Sequence, residues 1–75
     1  MTYAKNALVI YDHCPAIVNN VREKEFYILT WLEEGKPTSG GEHRSFDFRL
    51  ATAKEIKTHK LGFEKLVRMY GKQPA

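Results

Sequence analysis

The segment "SFDFRLATAKEI" (45–56) changes its hydrophobic pattern near the middle. In its first half every second residue is apolar, which predicts a β-strand over 45–50 with one face on the core. The apolar residues of this strand are Phe46, Phe48 and Leu50. In its second half Thr52 and Glu55 have the spacing of a capping box, in which each side chain accepts a hydrogen bond from the other residue's backbone amide. The pattern therefore predicts a strand that leads directly into a helix.

The helix is expected over 53–70. Its apolar residues recur at intervals of three and four, the spacing of one helical face. They are Ala53, Ile56, Phe63, Leu66, Val67 and Tyr70. Gly62 interrupts this stripe at a cost of about 1 kcal/mol relative to alanine. The segment is therefore either one continuous helix or a short helix followed by a second one over 63–70.

Three more strands are predicted upstream, over 7–11, 16–21 and 26–32. They are rich in β-branched and aromatic residues, and the last two form a hairpin across a charged turn. The alternative is a helix over 15–24, because Pro15 suits a first helical turn and the apolar residues after it have helical spacing. The proline, serine and glycine residues of 33–44 predict a mobile loop.

Together these elements predict one α+β domain over 1–75: a small antiparallel sheet of about four short strands and a C-terminal helix. The arrangement is similar, at the level of fold alone, to an SH3-like partly open barrel. If 15–24 is helical, a βαββα two-layer sandwich is expected instead. A chain of 75 residues buries a small core, so a homodimer is a further expectation.

The apolar runs, the cysteine count and the charge distribution predict the cellular compartment and the kind of partner. The apolar run "ALVIY" is too short for a signal peptide or a membrane span, and a lone Cys14 excludes an internal disulfide. We therefore expect a cytoplasmic protein that does not enter a membrane. Residues 1–37 contain four basic and five acidic residues, whereas 38–75 contain eight basic and four acidic residues. This asymmetry predicts an acidic partner.

No catalytic constellation is present in the sequence. His13 and Cys14 are adjacent, and adjacent residues of an extended chain point to opposite faces, so the histidine is poorly placed to activate the thiol. The three histidines lie far apart and lack the spacing of metal ligands. The glycines of 35–41 lack the lysine and the following helix of a phosphate-binding loop. We therefore expect no enzyme, no metal and no cofactor.

The basic residues of the C-terminal half are the best candidates for a functional surface, because phosphates are bound by dispersed lysines and arginines. The candidates are Arg44, Arg49, Lys54, Lys57, Lys65, Arg68 and Lys72. Tyr27 and Trp31 share a strand face, and exposed aromatic rings on a sheet stack on bases. We therefore expect a nucleic-acid-binding module. The alternative is a protein-interaction module, such as an inhibitor, adaptor or small subunit, that binds through its sheet edge or aromatic strand.

Overall fold

The computed structural model describes residues 3–22, 25–40, 42–44 and 46–71, with side chains as far as Met69. Its strands are β1 (Leu8–Tyr11), β2 (Cys14–Arg22), β3 (Phe26–Glu33), β4 (Lys36–Ser39), β5 (His43–Arg44) and β6 (Arg49–Leu50). Two short helices follow, α1 (Ala53–Thr58) and α2 (Lys60–Leu66), and the chain continues as a π-helical turn (Val67–Gly71).

All described strand pairs are antiparallel, and the sheet has the order β4-β3-β2-β1-β6, with β5 also paired to β3. Because β4 and β6 have no pairing between them in this order, the sheet is open rather than closed. The predicted α+β fold of an antiparallel sheet followed by a short C-terminal helix is therefore confirmed. None of the helices in the described part of the chain is long and apolar enough to cross a membrane.

The hairpin of β2 and β3 forms the centre of the sheet. Ala16 pairs with Trp31 and Ile17 with Thr30, so the segment that follows Pro15 is a strand, and the alternative of a βαββα sandwich is wrong. The register shifts between Val18 and Asn20, which marks a β-bulge. Strong β-branched content and two asparagines favour this extended path over a helix.

The bulge places Asn19 beside a buried polar group. The Asn19 amide donates to Oγ1 of Thr30, and this fully buried hydroxyl also lies 2.8 Å from Oγ of Ser39. The Ser39 hydroxyl in turn donates to the carbonyl of Leu29 at 3.2 Å. A chain of hydrogen bonds therefore satisfies a polar residue that is expensive to bury alone.

The expected mobile loop over 33–44 is mostly strand, which corrects the prediction. β4 and β5 pair with successive parts of β3. The turn before β4 is only Glu34 and Gly35, with φ angles of 53° and 79°. Positive φ at both central residues defines a type I′ turn, whose twist matches that of an antiparallel hairpin. Gly35 marked the turn correctly, but Pro37 lies within β4, where it pairs with Leu32, so the proline did not indicate a loop.

The turn between β1 and β2 has the same geometry. Its central residues are Asp12 and His13, with φ angles of 48° and 66°, and Tyr11 pairs directly with Cys14 across it. Histidine carries a Cβ atom that is strained in the left-handed region, whereas glycine is not. His13 is therefore a strained residue in the turn.

The strand expected over 45–50 is shortened to Arg49 and Leu50. Ser45 lies outside the described residues, and Phe46 and Asp47 are in a turn: the Asp47 carboxylate accepts from the Arg44 amide at 3.0 Å and the Asp47 amide donates to the Arg44 carbonyl at 2.9 Å. As a result only Phe48 is buried, while Phe46 is 79% exposed and Leu50 is 49% exposed. The expectation that all three apolar residues face the core was wrong.

Both faces of the sheet are covered. One face carries a core around the edge-to-face rings of Tyr3, Tyr27 and Phe48. On the other face α2 packs two side chains, Phe63 and Leu66, against a cluster from the first three strands. The sheet residues of this second cluster are Ile10, Ile17 and Leu32.

The helical segment is divided at His59, which ends α1 and begins α2. The predicted capping box of Thr52 and Glu55 is confirmed. Gly62 lies within α2 at its contact with the sheet. A Cβ atom placed there would lie 3.0 Å from Cδ1 of Leu32 and 3.3 Å from Cγ of Pro15. The glycine therefore allows the helix to approach the sheet closely.

The strained turn predicts that His13→Gly stabilises the protein. Glycine adopts the φ of 66° without the left-handed penalty, and the gain exceeds its larger entropy loss. We expect the free energy of unfolding in urea to rise by about 0.5–1 kcal/mol. The control Thr38→Gly, within β4, should lower it by about 0.5–1 kcal/mol. A loss of stability in His13→Gly would contradict the type I′ assignment.

The close approach at Gly62 predicts that Gly62→Leu destabilises the protein although leucine is the better helix former. The side chain would meet Leu32 and the rigid ring of Pro15. We expect a loss of about 1–3 kcal/mol in the free energy of urea unfolding. Gly40→Ala is the control, since a Cβ atom there meets nothing within 4 Å. Equal stability of Gly62→Leu and the native protein would refute the packing argument.

Candidate functional site

A groove lies between the two helices and the first strand. It has a volume of about 810 Å³. Its apolar lining comes from β1, both helices and the π-helical turn: Leu8, Ala53, Ile56, Phe63 and Val67. Four charged side chains complete the lining: Lys57, Lys60, Glu64 and Arg68. We call these nine residues the helical groove.

The break at His59 explains why this groove stays open. α1 buries none of its residues, so its apolar side chains do not pack fully against the sheet. Ile56 remains 36% exposed and Val67 42% exposed, whereas Phe63 is buried. The apolar stripe predicted from the sequence therefore divides into a part that packs on the sheet and a part that faces the groove.

The charge of the helical groove is positive. Lys57, Lys60 and Arg68 line it together with a single carboxylate, that of Glu64. The structure thus brings together two of the predicted basic residues, Lys57 and Arg68. Lys60 was missed as a site residue, although its position continues the apolar three-and-four spacing. A cation in an apolar helical stripe is the signal that could have identified it.

Arg49 belongs to a different contact. Its guanidinium donates to both carboxylate oxygens of Glu55, at 2.6 and 2.5 Å. Glu55 also accepts from the Thr52 amide at 2.9 Å. The bond from Arg49 and the backbone bond from Thr52 lower the pKa of Glu55 from its ordinary 4.5 to about 2. The same pair raises the pKa of Arg49. Arg49 therefore anchors the start of α1.

The remaining basic candidates are dispersed. The Lys65 ammonium donates to the Gly35 carbonyl at 3.1 Å and joins α2 to the turn before β4. Arg44 lies over the Phe26 ring, 5.0 Å from its centroid, on β5. Lys54 is exposed on α1 but does not line the groove. Lys72 lies outside the described residues.

The two aromatic candidates are not equivalent. Tyr27 is fully buried and its hydroxyl accepts from the Tyr3 amide at 3.1 Å, so its ring is not available to stack on a base. This corrects its assignment as a site residue. Trp31 is half-buried and packs against Tyr11 and His43. It lies on the sheet face opposite the helices, because its neighbour Leu32 belongs to the helix-facing cluster.

The surroundings of Cys14 do not activate its thiol. Burial, followed by the charges of Asp12 and Glu33, raises the pKa of its thiol and so disfavours the reactive thiolate. Within the described ranges no three histidine, cysteine or acidic side chains are grouped so that they could hold a metal ion.

Comparison with protein-family models, with curated proteins and with solved structures finds no match for this chain. A functional proposal therefore depends on the helical groove and on the chemistry of the surfaces described above.

The ion pair at the start of α1 predicts a specific acid sensitivity. Because the folded-state pKa of Glu55 is lowered to about 2, its contribution to stability is complete above pH 4.5 and is lost as the pH falls toward 2. Glu55→Gln should therefore be less stable than the native protein at pH 7, and the difference should shrink between pH 4.5 and pH 2. Urea unfolding of both proteins at several pH values measures this difference in the free energy of unfolding.

Glu64→Gln is the matched control, because Glu64 is an exposed glutamate of α2. It should show no comparable pH-dependent difference. A constant stability difference between Glu55→Gln and the native protein over the whole acidic range would contradict the assigned role of the Arg49 pair.

Proposed function

We propose that this protein is a non-enzymatic interaction module whose helical groove binds an acidic, partly apolar segment of a partner protein. The observation that carries the proposal is the combination of an open apolar floor with three cations at one groove. This choice departs from the nucleic-acid module favoured by the sequence and develops its alternative, a protein-interaction module. The binding surface is the helical groove rather than the sheet edge.

The apolar floor favours a protein partner. Ile56 and Val67 are partly exposed beside buried Phe63, and burying such surface contributes about 25 cal/mol for each Å² removed from water. Grooves between helices commonly accept the apolar side chains of an amphipathic helix.

The charges favour an acidic segment in particular. Lys57, Lys60 and Arg68 outnumber the one carboxylate of the groove, Glu64. Aspartates or glutamates that flank the apolar residues of a partner would meet these cations at the groove rim. Complementary charges of this kind mainly increase association rate and specificity, and they weaken as salt rises.

Nucleic acid fits the groove less well. The cations would satisfy phosphates, but Phe63, the aromatic residue of the groove lining, is buried and offers bases no exposed ring to stack on. The aromatic residues proposed for stacking do not help, because Tyr27 is buried and Trp31 lies on the opposite sheet face. Nucleic acid is therefore an outcome that the experiment below must distinguish.

Two further expectations stay part of the proposal. A lone, half-buried Cys14 suits a reducing compartment, and we propose the cytoplasm. An SH3-like arrangement describes the short hairpins and open sheet by analogy, and nothing in the proposed binding mode depends on it.

The test is fluorescence anisotropy with a labelled, designed helix of about 14 residues that has leucines at helical spacing and glutamates elsewhere. A single-stranded oligonucleotide of similar net charge is titrated in parallel. We expect the peptide to bind saturably, and the variant Lys57→Gln/Lys60→Gln/Arg68→Gln to bind it about tenfold more weakly. The control Lys5→Gln/Lys36→Gln/Lys54→Gln has the same change in net charge outside the groove. It should retain most of the affinity.

Val67→Ser separates the two classes of partner. It removes an exposed apolar contact from the groove without changing a charge, and at 42% exposure it should leave the fold intact. We expect this substitution to lower the affinity for the peptide and to leave the affinity for the oligonucleotide unchanged. Strong oligonucleotide binding that depends on the groove cations, together with peptide binding indifferent to Val67→Ser, would overturn the proposal in favour of nucleic acid.

A further inference from the structure

A second surface lies on the sheet face away from the helices. Tyr11, Trp31 and His43 form a compact aromatic group, which we call the aromatic patch. The ring centroids of Tyr11 and Trp31 are 4.8 Å apart, those of Tyr11 and His43 are 4.7 Å apart, and those of Trp31 and His43 are 5.9 Å apart. All three residues are half-buried, so none of them is fully enclosed by the core.

The topology of the sheet assembles this patch from three separate strands. Trp31 on β3 pairs with Ala16 on β2, and Ala16 pairs with Val9 on β1. Ala16 has only a methyl group, so it leaves room above β2 for the Tyr11 ring to reach Trp31. His43 comes from β5 on the other side of β3, where it pairs with Tyr27.

Two carboxylates lie beside the aromatic patch. Glu33 is two residues after Trp31, on the same face of β3 and about 7 Å along it. Asp12 follows Tyr11 directly in the type I′ turn. Both are exposed. The charges of both raise the pKa of the Cys14 thiol, and Cys14 is the cross-strand partner of Tyr11. Lys36 of β4 is the cross-strand backbone partner of Glu33.

We propose that the aromatic patch, with Asp12 and Glu33, binds a cationic side chain, arginine or lysine, of a partner protein segment. The faces of tryptophan and tyrosine attract a cation within about 6 Å of the ring centroid, and tryptophan does so most strongly. The carboxylates add a charge-assisted hydrogen bond for the same cation. The chemistry is opposite to that of the helical groove, and the proposal does not depend on a ligand there.

Trp31 provides a direct measurement, since it is the one tryptophan of the chain. The probe is a blocked peptide of about six residues in which arginine alternates with glycine, and the same peptide with citrulline in place of arginine is its neutral control. We expect the arginine peptide to change Trp31 fluorescence and to shift the indole N–H resonance saturably. The citrulline peptide should bind at least about fivefold more weakly.

Protein variants test the carboxylates. The variant Asp12→Asn/Glu33→Gln should bind the arginine peptide about fivefold more weakly. This variant keeps the turn, because asparagine adopts the left-handed conformation readily. Glu64→Gln removes one carboxylate in the helical groove and should leave binding unchanged. The groove variant Lys57→Gln/Lys60→Gln/Arg68→Gln should also bind the arginine peptide normally.

Three results would overturn the proposal. They are the absence of any Trp31 response to the arginine peptide, equal responses to arginine and citrulline, and an unchanged affinity in Asp12→Asn/Glu33→Gln with a native circular dichroism spectrum. Each would identify the aromatic patch as a cover for the core beneath it. Because the groove variants change a different face, failure here leaves the groove proposal intact.

Discussion

The packing of α2 on the sheet is the contact on which the rest of the structure depends. Phe63 and Leu66 are buried against strand residues, and each such side chain contributes about 1.5–3 kcal/mol. Gly62 makes the contact possible by allowing the helix to lie close to Pro15. α1 has no buried residue of its own. Its position follows from its connection to α2 and from the Arg49 pair at its start, so the open groove is a consequence of this unequal packing.

The sheet separates two surfaces of different chemistry. On the helical side, cations line an apolar groove. On the other side, aromatic rings lie beside two carboxylates. A thin sheet between them lets 75 residues present both without a larger core. The two proposals together describe an adaptor that holds an acidic segment on one face and a basic segment on the other.

The local signals in the sequence were reliable where they depend on neighbouring residues. The capping box of Thr52 and Glu55 and the central hairpin are of this kind. Errors arose where one contact changes the path of the chain. The Asp47 turn removed half of a predicted strand and exposed Phe46, although the alternation there was regular. A single side-chain hydrogen bond of this kind leaves no mark on hydrophobic periodicity.

The sequence by itself determined the α+β class, the start of the helix and the positive C-terminal half, because propensity, capping and charge are properties of short segments. The tertiary structure decided which of those charges share a surface. It placed Lys60 in an apolar groove, engaged Arg49 with Glu55 and buried Tyr27. These outcomes depend on the break at His59 and on strand register. The break at His59 redirects neighbouring turns of the helical segment, and strand register joins residues that are distant in the chain, such as Tyr3 and Tyr27. Hydrophobic periodicity carries no information about either.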